Sequence, residues 1–174
     1  MNEDSNTTSS GTTRERPTTT SYSETVTTGP ALNRTSYDVA RQRDLDHSML
    51  GSGTEPILRL FTTDDWRKYV DESVASKEMR TFLDETDFGS ESVIGLEARV
   101  SGQSFRLILQ SVSGVGTQSL QLRFEELETN GGLNVSPLHL ILVRVPNRGI
   151  QPTEANAVID WNADIETVSA KPSE

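Results

Sequence analysis

Four carboxylates fall within eight residues, Asp84, Glu85, Asp87 and Glu91, in the stretch FLDETDFGSESVIGLE. Clustered acids can hold a divalent cation through oxygen ligands, or work as an acid–base pair on a glycosidic bond. An EF-hand loop begun at Asp84 needs an oxygen ligand at its fifth position and Glu at its twelfth. Phe88 and Gly95 stand there, so that loop fails. Glycoside hydrolysis needs two carboxyl groups facing each other across a cleft, which one cluster in sequence does not establish. The stretch reads instead as a seam: the end of a helix, a turn at Gly89 and the start of a strand. Asp87 and Glu91 remain as the pair that could share a cation.

The other reactive side chains are few. His47 lies in DLDH beside Asp44 and Asp46, a weak surface metal motif. His139 sits in an apolar run and fits a hydrogen-bonded histidine of the core or its rim. There is no cysteine, so disulfides, thiolate nucleophiles and cysteine-held metals are excluded from this chain. No HExxH and no Gly-x-Ser-x-Gly elbow occurs. The glycines of GVG (114–116) and NGG (130–132) read as turn glycines, since neither opens a helix. The sequence implies no cofactor and no catalytic residue.

The elements that must position these groups fall in two parts. In residues 1–30, ten Thr and five Ser leave little apolar material to offset the entropy of ordering. Such composition fits a glycosylated stalk or a disordered tail. Acceptor triplets begin at Asn6, Asn33 and Asn134, the last followed by Pro137. Residues 1–54 are therefore expected to form a tether and a transitional segment. Within it, DVARQRDLDHSML reads as a short helix, with docking of 31–50 left open, and GSGT (51–54) as a break.

From residue 55 the pattern firms into a compact β-rich domain running to 168, with 169–174 as a tail. ILRLF (57–61) is strand-like. Thr62 or Thr63 then caps a helical segment with Asp64 and Asp65 in its first turn. Trp66, Tyr69, Val70 and Val74 share a face, and Met79, Phe82 and Leu83 repeat the spacing after Ser76. Ile94, Leu96, Ala98 and Val100 alternate with Gly95, Glu97 and Arg99, and the period of two returns at 105–110 and 120–125. LHLILVRV (138–145) is apolar almost throughout, as a central strand covered on both faces would be. AVIDW (157–161) is expected to be the last strand. The polar alternates Glu97, Arg99, Arg106, Arg123 and Glu125 are expected to form a charged outer face. The predicted fold is mainly β (α+β): an antiparallel meander or sandwich-like sheet covered by one amphipathic helical segment.

Charge bounds the partners. Sixteen Lys and Arg against 26 Asp and Glu give a net charge of −10. That disfavours nucleic acid, whose binding rests on neutralising phosphates. Among the basic residues, 13 are Arg and only three (Lys68, Lys77 and Lys171) are Lys. Abundant acids with few lysines suit concentrated salt, where screening removes self-repulsion. An ordinary acidic protein of a GC-rich genome is the alternative. No run approaches the length of a transmembrane span, and the first residues lack the basic and apolar regions of a signal peptide. A cytoplasmic chain, or one whose signal has been removed, both fit.

The segments LRLFTTDDWRKYV, FLDETDFGSESVIGL, SFRLILQSV, LQLRFEE and LHLILVRVP together resemble a group of small haloarchaeal secreted or lipid-anchored β-domain proteins of unassigned function. They are distantly similar to the C-terminal domain of a bacterial lipoprotein that stabilises a surface protease complex. The likeness covers residues 57–161 and rests on scaffold positions. It implies a spacer behind a lipid-bearing cysteine, which this chain lacks, and it carries over no catalytic residue. The expected function is a non-enzymatic, secreted or cell-surface interaction module of a halophilic archaeon, with a protein or extracellular ligand as partner. A structural subunit of a surface assembly and a hydrolase using Asp84, Asp87 and Glu91 are the alternatives.

Overall fold

A computed structural model describes residues 37–45, 47–51, 54–129 and 136–173. Eight strands form two four-stranded sheets. The first sheet has the order β1-β6-β3-β2, from β1 (Asp38–Leu45), β6 (Leu138–Pro146), β3 (Glu91–Arg99) and β2 (Ile57–Phe61), all antiparallel. The second has the order β4-β5-β7-β8, from β4 (Phe105–Ser113), β5 (Ser119–Glu128), β7 (Glu154–Asp160) and β8 (Ile165–Ala170). Here β5 and β7 run parallel while the outer pairs are antiparallel.

The sheets face each other across one core. Leu60, Ile94, Leu96, Ile141 and Val143 of the first meet Leu107, Leu120, Leu122, Phe124 and Ile159 of the second. A second cluster covers the opposite face of the first sheet. It joins Phe61, Val93, Leu140 and Leu142 to Trp66, Val70, Met79 and Leu83 of the helical segment and to Met49 and Leu50. The first sheet is thus the middle of three layers. That is why β3 and β6 are buried almost throughout, whereas β5 alternates between buried and wet residues.

The helical cover comes in two pieces. A 3₁₀ helix spans Asp64–Lys68 with Thr63 at its N-cap and Trp66 buried. The helix α1 spans Lys77–Asp84; Ser76 caps it, its Oγ accepting from the Met79 amide at 3.2 Å. The spacing allows either a continued helix or a restart after Ser76; the structure has the restart, fixed by an N-cap of the preferred type. Met79 and Leu83 lie on one face of α1 and bury together.

Four expectations need correction. Residues 38–45, read as a short helix within the tether, form β1 on the edge of the first sheet, so the packed unit begins well before residue 55. Val39 and Ala40 are consecutive and bury on opposite faces of the sheet, so no apolar–polar alternation marks this strand in the sequence. The meander is broken: β3 and β4 are consecutive in sequence but lie in different sheets. The last strand is β8, following the turn Trp161–Asp164. The expected tail also pairs with the domain. Pro172 bridges Leu60, and the Ser173 amide donates to the Leu60 carbonyl at 3.0 Å, which stitches the second sheet to the edge strand β2 of the first. Asn6, Asn33 and Asn134 lie outside the described residues, as does Asp46.

Candidate functional site

The acidic seam is held together by its own hydrogen bonds. The Asp87 carboxylate accepts from Ser90 Oγ at 2.7 Å and from the Gly89 amide at 3.1 Å. The Ser90 hydroxyl first, and the Gly89 N–H second, hold its pKa below the usual aspartate value. Glu91 Oε2 accepts from the Asp87 amide at 3.2 Å, and its Oε1 lies 3.8 Å from Arg144 Nε. Asp84 pairs with Arg67, which also meets Glu72 at 3.5 Å and stacks over Trp66 at 4.3 Å. Thr86 Oγ1 donates to the Phe82 carbonyl at 2.8 Å and closes the end of α1. Asp87 and Glu91 are thus neighbours, each already accepting from a donor, and together they tie off the helix and start β3. Asp84, Glu85 and Asp87 point to solvent. Among the described residues, no group of three or more His, Asp or Glu is arranged to hold a metal ion.

The histidines separate. His47 is exposed, whereas His139 is buried on β6. Burial, aided by the charges of Arg43 and Arg106, pushes the His139 pKa down to about 4, so it is neutral at pH 7. Trp66 is core, as its helical spacing predicts. Trp161 lies at the rim, with Nε1 donating to Glu166 at 3.0 Å.

The expected charged face holds for the second sheet only. Arg106 and Arg123 are exposed, Arg123 lies 3.9 Å from Asp160, and Gln110 donates to Glu125 at 2.7 Å. Arg99, at the end of β3, is exposed and donates to the Ser136 carbonyl at 3.2 Å. Glu97 is a correction. It is fully buried on the helical side of the first sheet. One carboxylate oxygen accepts from Ser48 Oγ; the other accepts from the Met49 and Leu50 amides at 2.6 and 2.9 Å. Glu126, at the end of β5, is buried in the same manner and accepts from the Ser101 amide and hydroxyl at 2.6 and 2.7 Å.

Glu97 organises a short loop, and the loop forms one wall of a depression. Residues 48–50 lie flat on the sheet because Gly95 offers no side chain. A Cβ there would stand 3.2 Å from both Leu50 Cδ1 and Leu142 Cδ2. Two further bonds fix the loop: Arg59 Nε donates to the Leu50 carbonyl at 3.1 Å and the Asp71 amide donates to the Met49 carbonyl at 2.9 Å; Gly51 then turns away at φ 85°. The resulting open depression, about 420 Å³, is lined by residues 48–51, Arg59 and residues 68–71. Arg59 lies over the Tyr69 ring at 5.6 Å. Lys68 pairs with Asp65 at 2.9 Å, and Asp71 accepts from the Ser73 amide and hydroxyl.

Sequence reasoning passed over this site. Tyr69 was visible as part of the helical face, but Arg59 was one basic residue in a strand, and Met49 lay in the segment read as a helix. One signal was present. Val93 and Gly95 share the face of Glu97, and an apolar residue with a glycine beside it marks a face under cover, where an acid must find donors.

Compared with known protein families, curated proteins and solved structures, the chain finds no match in any of the three. No helix among the described residues is long and apolar enough to cross a membrane.

Proposed function

We propose that this chain is a non-enzymatic interaction module of a salt-adapted cell surface, binding a protein or an extracellular ligand. The observation that carries the reading is the pinned loop 48–51. A fully buried carboxylate, an arginine and a backbone amide all fix one short segment, with Met49 and Leu50 in the core, beside an open depression. Rigid walls lower the ordering cost of binding, which is what a recognition surface gains from such an investment. The charge of −10, the scarcity of lysine and the Ser/Thr-rich first 30 residues support placement at the surface of a halophile, on a tether that carries glycans or follows a lipid anchor. The resemblance to haloarchaeal secreted β-domains points the same way.

Cross-linking on cells in molar salt, followed by identification of the linked species, tests the reading. A specific partner lost on substitution of loop 48–51 is the expected result. Chain recovered without a cross-linked partner counts against it.

A further inference from the structure

We propose that the depression beside Gly51 recognises the carboxylate of a small organic acid through the guanidinium of Arg59; this rests on the reading of that loop as a binding surface. Arg59 is the group in the depression with unused capacity. Its Nε is committed to the Leu50 carbonyl, which fixes the plane of the guanidinium. No carboxylate among the described residues lies within ion-pairing distance of it. The nearby acids are each engaged elsewhere. Asp65 is held by Lys68, Asp71 by Ser73, and Glu97, two residues from Arg59's partner Gly95 on the neighbouring strand, by Ser48, Met49 and Leu50.

A guanidinium stays protonated at any working pH, and its two Nη groups form a fork that matches a carboxylate. The Tyr69 ring backs the guanidinium plane; on the same wall the Lys68 ammonium is shared with Asp65, and Asp71 stays an ionised carboxylate, so Arg59 is the charge left to meet an anion. Met49, Leu50 and Val70 turn their side chains into the core, so the floor of the depression is largely backbone and polar groups. The open depression, at about 420 Å³, falls within the size range of small-molecule sites.

The test is a titration of the intact chain with benzoate at fixed ionic strength, followed in its amide NMR spectrum. Benzamide serves as the neutral isostere and inorganic phosphate as the competing anion. The expected result is saturable shifts at the Leu50 and Gly51 amides with benzoate and none with benzamide. Arg59→Gln should weaken benzoate about tenfold or more, the loss of a charge-assisted pair. Arg59→Lys should recover part of that loss, since it keeps the charge without the fork. Should Arg59→Gln disturb folding, Lys68→Gln serves as the second variant. It removes an exposed charge and should weaken benzoate severalfold.

Equal shifts from benzoate and benzamide, affinity unchanged in Arg59→Gln and Lys68→Gln, or phosphate binding tighter at the same amides would overturn the assignment. A chain that cross-links to a partner on cells but ignores benzoate overturns the ligand class alone and keeps the interaction-module reading.

Discussion

The seam at residues 84–91 and the shelf under residues 48–50 both depend on carboxylates, yet they use them in opposite ways. Asp84, Asp87 and Glu91 are close in sequence, face water or its edge, and pair with donors from their own turn or with an arginine. Glu97 is far from its partners in sequence, lies fully buried, and holds a loop nearly fifty residues away. Exposed carboxylates have water as an alternative partner, so each such contact contributes little. A buried carboxylate has none, so the same bonds decide whether the loop stays in place. Density of acids in a sequence is thus a poor guide to where acids matter here; burial is the better one.

The largest test of that contrast is Glu97→Ala. It leaves the Met49 and Leu50 amides without an acceptor under the loop, and a loss of about 3–5 kcal/mol of unfolding free energy is expected. Urea titration should show a lower midpoint, with amide exchange of residues 48–51 accelerated. A loss below 1 kcal/mol would place Glu97 with the seam acids.

A second buried titratable group sharpens the comparison through pH. His139 ionises near 6.5 when unfolded and at about 4 when folded. The unfolded chain therefore takes up the proton first as pH falls. Stability is unaffected above about pH 6.5, declines between there and pH 4, and is flat in this contribution below. The difference amounts to about 3 kcal/mol. Comparing His139→Gln with the native chain across that window should isolate it, because the carboxylates titrate alike in both.

Smaller effects belong to the seam. Arg67→Ala removes pairs to Asp84 and Glu72 and the stacking on Trp66, and should cost about 1 kcal/mol, less in molar salt. The smallest effect is expected for Asp87→Asn combined with Glu91→Gln. Thermal unfolding should change by under about 1 kcal/mol, with no added stability from calcium in either chain. A calcium-dependent rise in the native chain that the double variant loses would turn the seam into a cation site and reverse the comparison.

Wherever local pattern met a single environment, the sequence was legible. Period-two stretches placed β3, β4 and β5, strand-like composition placed β2, and a nearly continuous apolar run marked β6 as central. Trp66, Met79 and Leu83 declared the helical cover by their spacing. The Gly89 turn is local chemistry and was readable for that reason, whereas spacing alone left a continued helix and a restart at Ser76 both open. β1 was not readable, because it carries charged residues at both parities and buries Val39 and Ala40 side by side, so it displays no clean alternation. The split between β3 and β4 was not, because a short turn connects strands of one sheet or of two equally well.

By itself, then, the sequence determined the β-rich class, the positions of most strands, the amphipathic cover and the acidic surface, since each follows from residue type and period along the chain. Tertiary structure alone decided that Glu97 is buried, that Gly95 makes room for Leu50, and that Arg59 faces a depression with Tyr69 and Lys68 beside it. The physical reason is that these contacts join segments whose meeting depends on which faces of the first sheet are covered. A side chain's chemistry is written in its type, but its solvent is set by whatever packs above it.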